Sequence, residues 1–525
     1  MKLKSTELIR RILPAVIVLT LSACSANVQT PQNAPENEKS ENSLKMTYLS
    51  ADSMFSDRDR DPSFDGGYEV RLSDGKIESS CDSLMISGST VTIKDGGVYI
   101  ISGALSNGQI IVDAQKTDKV QLVLDGADIS NSSSAPIYVR CADKVFITLK
   151  DGGENSLKVT GEYKAIDENN IDAAIFSKED ITLNGGGMLN ISADYGHGIV
   201  SKDELAVCGG NISVTAQKHA LAGKDCVKIS DGTLKLKSGK DGIHAENTDD
   251  ASSGFIYIGG GNINIDSDDD GIHSDYKVII DSGDINISKS YEGIEGLTID
   301  INGANITLHS SDDGINAAGG NDGSGFRGAD TQSETEGEAY IKINGGVLHI
   351  FADGDGIDSN GSLYVSGGET YVEGPESSGN GALDYDKNAQ ITGGTFIALG
   401  ASGMAQGFGD NSTQGAMLVN LGSQMQSGEV SLSDSNGNII LRYTPSKSYN
   451  SAVISCKEIC KGNTYIINAG ENTQTVEMTE TVYGQSGSGF PGGGQMPGGE
   501  RPGGMREFPG GGNNSRPGGN PGKRE

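Results

Sequence analysis

"KVIIDSGDINISKSYEGIEGL" (Lys277–Leu297) and "TIDINGANITLHSSDDGINAA" (Thr298–Ala318) follow one another without a gap and share one pattern. Each opens on a short run in which apolar residues alternate with polar ones (Val278, Ile280; Ile299, Ile301). Each turns at Ser-Gly or Asn-Gly, runs again (Ile285, Ile287; Ile306, Leu308), bends through polar residues and reaches Gly-Ile. "YIKINGGVLHIFADGDGIDSN" (Tyr340–Asn360) repeats it. Alternation with period two marks strands buried on one face, and Gly, Asn and Asp mark the turns.

Gly-Ile or a close relative recurs with its branched residue at Ile175, Ile199, Leu221, Ile243, Ile272, Ile294, Ile315, Ile357 and Leu383, at intervals of 24, 22, 22, 29, 22, 21, 42 and 26 residues. The interval of 42 contains the insertion Gly319–Glu338, and that of 29 a smaller one around "NTDDASSG". Three short strands in about 22 residues cannot bury their own apolar faces, but stacked rungs bury a common one. The pattern predicts an all-β chain built on a right-handed parallel β-helix, with rungs about 4.8 Å apart and a column of Ile, Leu and Val along the axis. Leucine-rich repeats share the period, but their L-x-x-L-x-L signature is missing; a propeller blade needs about 40 residues.

The texture extends upstream through "GSTVTIKDGGVYIISGALSNGQIIVDAQ", so the β-helix is assigned to 44–427. Residues 428–483 have longer strands and lose the repeat, as a capping β module would. Residues 484–525 are Gly/Pro-rich and read as a disordered tail. At the other end, Lys2, Lys4, Arg10 and Arg11 precede the apolar run Ile12–Leu21, which is too short to span a bilayer and reads as a signal peptide over 1–23. "LSAC", ending at Cys24, resembles a bacterial lipobox. It implies lipid attachment at Cys24, a tether over 24–43 and an extracytoplasmic, membrane-anchored protein; secretion with cleavage after Ala23 is the alternative. Of the other cysteines, Cys456 and Cys460 are near enough in sequence to pair, Cys208 and Cys226 read as buried thiols, and no CxxC suggests a zinc site.

The formal charge is −31 and 77 of the 525 residues are glycine. Such a field repels phosphates and excludes nucleic acid as a partner. Much of the charge falls in register. Two positions before the branched residue stand Asp241, Asp270, Glu292, Asp313 and Asp355; three before stand Lys240, Asp269, Tyr291, Asp312 and Gly354. One position after stand His244, His273, Glu295, Asn316, Asp358 and Asp384, and Asp353 lies nearby. Two unit charges about 5 Å apart repel by roughly 3 kcal/mol at an effective dielectric of 20. A ladder of them threatens a fold with only about 5–15 kcal/mol of net stability. Solvated turns, protonation or bound cations relieve it. Ca²⁺, which takes six to eight oxygen ligands, suits Asp241, Asp269, Asp270, Glu292, Glu295, Asp312, Asp313, Asn316, Asp353, Asp355 and Asp358. His244 and His273 offer a transition-metal alternative.

"DDGINAAGGNDGSG" (Asp312–Gly325), the GGx-hydrophobic-x-I rungs and the Gly/Pro-rich end resemble a bacterial, largely clostridial, surface family of carbohydrate-binding β-helix proteins, over roughly Leu44–Gly409. The resemblance implies a calcium-loaded β-helix that binds plant cell-wall polysaccharides, acidic pectic glycans and cellulose. "GDGIDSN" (Gly354–Asn360) and "DDGIN" (Asp312–Asn316) are also distantly similar to calcium-dependent pectate lyases of this shape. A lyase needs a base beside the metal. Lys240 and Lys289 are the candidates, with Lys387 behind them, but each lysine also offsets neighbouring carboxylates. With no Trp, stacking on a neutral glucan falls to Tyr276, Tyr291, Tyr364, Tyr371 or Tyr385. A structural adhesin or spacer is the third reading.

Overall fold

The computed structural model describes residues 53–250, 252–318, 339–425 and 427–484. The leader 1–23, Cys24, the tether 24–43, the insertion 319–338 and residues 485–525 of the tail lie outside the described residues.

Among the described residues the chain is nearly all β, and 36 strands form one continuous sheet that winds into a parallel solenoid of about 11 turns. Successive turns are in register at the residue the sequence singles out. Ile175, Ile199, Leu221, Ile243, Ile272, Ile294, Ile315, Ile357 and Leu383 are parallel partners in that order. The column continues upstream through Ile137, Ile110 and Val91, so the early segment does supply rungs. All of these side chains are fully buried.

The two alternating runs of each repeat make the other two columns. Ile256, Val278, Ile299, Ile341 and Leu363 stack in one, and Ile265, Ile287, Leu308, Ile350 and Val372 in the other. All three columns converge on one core cluster.

The glycine before the branched residue answers to close approach rather than to backbone twist. A Cβ on Gly293 would lie 2.3 Å from the Gly314 carbonyl oxygen, and one on Gly314 would lie 2.4 Å from that of Gly356. Rungs can therefore stack tightly at this edge only with the side chain removed.

Both ends depart from the repeat. At the start, a helical turn, Asp57–Arg60, is closed by a reciprocal Ser56–Asp59 capping box. Its Asp59 is buried against the second column, where it meets Lys144 Nζ at 2.8 Å and accepts from Thr182 Oγ1 at 2.6 Å. At the far end the last rung strand, Thr395–Gly400, pairs antiparallel with Tyr449–Ser455, which also pairs antiparallel with Ala416–Met425. Four strands within 428–483 (Val430–Asp434, Ile439–Tyr443, Thr464–Ala469 and Asn472–Glu477) form a separate antiparallel sheet over a second core. All six described cysteines are free thiols: Cys226 and Cys456 are buried, Cys208 is half-buried, and Cys460 is exposed and does not pair with Cys456. Among the described residues no helix is long and apolar enough to cross a membrane.

Candidate functional site

The acidic edge is built by a simple rule. The side chain two positions before the branched residue accepts a hydrogen bond from the backbone N–H of the equivalent residue one rung on. Asp270 N–H donates to Asp241 Oδ1 (3.2 Å), Glu292 N–H to Asp270 Oδ1 (3.1 Å) and Asp355 N–H to Asp313 Oδ1 (2.6 Å). One oxygen each of Asp241, Asp270 and Asp313 is therefore spent on the backbone, where it satisfies a donor that the bend leaves over. What the second oxygen meets depends on the residue across the bend, one position after the branched residue.

Going along the rungs, that partner changes chemistry. Asp241 Oδ2 meets His244 Nδ1 at 2.6 Å and His219 Nδ1 at 3.1 Å. Burial alone would raise the Asp241 carboxyl, but its bonds to His219 and His244 hold it well below the usual range. His273 Nδ1 lies 3.0 Å from Asp270 Oδ2 and 2.5 Å from Glu295 Oε2. Burial opposes its charge, yet the bonds to Asp270, Asp275 and Glu295 push its pKa up. Glu292 is met by the Asn316 amide, which donates to Oε1 at 3.2 Å and Oε2 at 3.1 Å.

In the next rungs the partner is another acid. Asp313, Asp355 and Asp358 bring one carboxylate oxygen each within 4.8 Å of one another. Burial, reinforced by Asp313, Asp355, Asp384 and Asp386, pushes the Asp358 carboxyl up to about 8. Burial, with Asp384 and Asp312, pushes Asp355 up to about 6 despite its bond from Gly381 N–H. Among the described residues no lysine, arginine or histidine is within ion-pair distance of Asp355 or Asp358. The carboxylates also fold over Gly354: a Cβ there would lie 2.4 Å from both Asp312 Oδ1 and Asp313 Oδ1. An all-oxygen, anionic, half-buried cluster of this kind fits a hard cation such as Ca²⁺ in donor chemistry.

The remaining residues picked out in the sequence divide clearly. Asp241, Asp269 and Asp270 form a second acidic trio, but Asp269 is paired with Lys240 at 2.6 Å. Asp353 turns away to Lys447 of the C-terminal module at 2.8 Å. Lys289 pairs with Asp268. Both base candidates are raised in pKa by their carboxylate partners, the opposite of what a base needs at neutral pH. Tyr371 is sandwiched between His349 and Tyr443, ring centroids 4.9 and 5.1 Å away, so neither ring face is left for a sugar.

Two residues escaped the sequence reading. His197 and His219 occupy the acidic column two rungs and one rung before Asp241, and with His244 and His273 they form a continuous ring stack with centroids 4.9, 4.1 and 5.1 Å apart. Extending the aligned column upstream through "GHGIVS" and "KHALAG" identifies them.

Comparison with known proteins agrees with the resemblance at the level of the domain. Residues 87–325 match the model of a family described as carbohydrate-binding domain-containing protein. A curated protein of that description from Acetivibrio thermocellus is 42% identical over 137 residues, which is 26% of this chain and 48% of the relative, so the match spans about half the relative's length. A solved structure described as a polysaccharide lyase-like protein from C. thermocellum, in a gadolinium derivative, is 34% identical. It covers 48% of this chain and 96% of its own, with a TM-score of 0.41.

Proposed function

We propose that this chain, whose solenoid matches a carbohydrate-binding domain family over residues 87–325, holds an acidic polysaccharide through Ca²⁺ bound at Asp313, Asp355 and Asp358. The observation that carries the reading is the crowding of these three carboxylates, where, unlike in the Asp241–Asp269–Asp270 trio, no lysine or histidine among the described residues pairs with Asp355 or Asp358. Three side chains leave most of the six to eight ligand positions of Ca²⁺ to backbone, water or ligand oxygens. A uronate carboxylate completing that shell reconciles a chain of charge −31 with an acidic polymer it otherwise repels. Pectic glycans suit this cation-centred chemistry, and Tyr371 offers no free ring face for stacking a neutral glucan. The reading includes a lipid anchor at Cys24 that holds the solenoid at the cell surface.

Retention on polygalacturonate tests it. Binding in Ca²⁺ that is lost in EDTA, and lost in Asp358→Asn even with Ca²⁺, is the expected result. Binding that survives both sinks the proposal. An EDTA effect on melting but none on retention instead marks a calcium-stiffened spacer. Unsaturated products, followed by ultraviolet absorbance, would reveal a lyase; the charged state of Lys240 and Lys289 argues against them as its base.

A further inference from the structure

Upstream of the all-oxygen cluster, the same edge gathers nitrogen donors around one carboxylate. We propose that His219, Asp241 and His244 form a second cation site, specific for a borderline transition divalent ion such as Zn²⁺, with one coordination position open to the adjoining groove. This proposal is independent of the calcium reading.

The three candidate ligand atoms, His219 Nδ1, Asp241 Oδ2 and His244 Nδ1, already converge: the nitrogens lie 3.1 and 2.6 Å from the oxygen, and all three are within 4.8 Å of one another. Tetrahedral zinc with bonds of about 2.0–2.1 Å places its ligands roughly 3.3 Å apart, so small outward shifts admit the ion. The rings are held in place by stacking, with centroids 4.1 Å apart and planes at 19°.

Hydrogen bonding on the far sides of the ligands suits a metal. His244 Nε2 lies 3.5 Å from Glu246 Oε2, the position of an outer-shell carboxylate behind a ligating imidazole. Asp241 N–H lies 3.2 Å from His219 Nδ1, so ligation exchanges that backbone bond for the metal.

Access is also provided. His197, His219, His244 and Glu246 line an open cavity together with Ser201 and Lys202, which gives an entry path and room for an exchangeable ligand. Two imidazoles and one carboxylate select zinc, cobalt or nickel over calcium. His273 faces Asp270 and Glu295 instead of Asp241.

Co²⁺ titration of the metal-stripped full chain in excess Ca²⁺ is the test. The expected result is one equivalent of cobalt with tetrahedral d–d absorption and no thiolate charge-transfer band, displaced by Zn²⁺ and not by Ca²⁺. His219→Gln and His244→Gln lose the spectrum, Glu246→Gln weakens binding by about 10–100-fold, and Asp358→Asn leaves it unchanged. A wild-type chain that gives no such spectrum overturns the site without reference to any variant. So does cobalt retained by correctly folded His219→Gln and His244→Gln, or a thiolate band that assigns the metal to cysteine.

Discussion

Replacing Asp358 by asparagine should stabilise the metal-free protein and destroy its response to calcium. An ordinary aspartate titrates near 3.9, whereas Asp358 is pushed up to about 8 by burial and by the acids around it. Ionising it in the fold therefore costs up to about 6 kcal/mol more than ionising it in the unfolded chain, an upper bound because Asp355 titrates with it. The sign follows from proton counting. A carboxyl whose folded pKa lies above its unfolded value retains its proton longer in the fold, so stability is full below about pH 4 and falls as pH rises to about 8. Calcium reverses the trend, because it needs the ionised carboxylates and so binds more tightly as pH rises. At a concentration of about 100 times Kd it returns about 2.7 kcal/mol. Chemical denaturation from about pH 5 to about pH 8, with EDTA or Ca²⁺, reads all of this. Wild type without metal should weaken over that range and recover in calcium. Asp358→Asn should be flatter, more stable than wild type at the alkaline end without metal, and indifferent to calcium. A flat metal-free wild-type profile would refute the crowding argument, and an undiminished calcium response in the variant would move the ion elsewhere.

Other substitutions test the scaffold. Gly293→Ala sets a Cβ 2.3 Å from the Gly314 carbonyl and should cost at least about 1–3 kcal/mol, read by the denaturation midpoint, although it touches no acid. Ile294→Ala, at a fully buried position of the axial column, should cost about 2–5 kcal/mol in the same assay. Lys144→Met leaves Asp59 buried without its cation and should cost about 3–5 kcal/mol; limited proteolysis should then cut near Ser53–Asp61 in the variant and spare wild type.

How legible all this is from sequence depends on the reach of each interaction. The axial column was readable because Gly-Ile or a relative recurs at nearly constant spacing, and the structure pairs all nine of those residues in the expected order. Ile110 and Ile137 belong to the same column but follow "SNGQ" and "SSAP", without the acidic bend that flags the later rungs. The acidic ladder was equally visible, but its neutralisation was not. Whether an acid meets a histidine, an amide or another acid is decided across the bend and between rungs, by side-chain direction. Asp353 shows the limit most clearly, since its partner Lys447 is 94 residues away in a module that breaks the repeat. The strap at Asp59 is similar, reaching Thr182 across 123 residues.

The antiparallel strand Tyr449–Ser455 on the last rung has a consequence for how such a rod evolves. Every interior rung offers the next one the same parallel register, so nothing within the repeat says where to stop. The column ending at Thr395–Gly400 is terminated by a strand of opposite direction, encoded roughly fifty residues further along the chain. Rod length is thus a heritable variable separate from rod chemistry. Whole rungs can be duplicated or deleted in the middle of the gene while both ends stay intact, and each such event lengthens or shortens the run of histidines and acids by one step without redesigning either terminus.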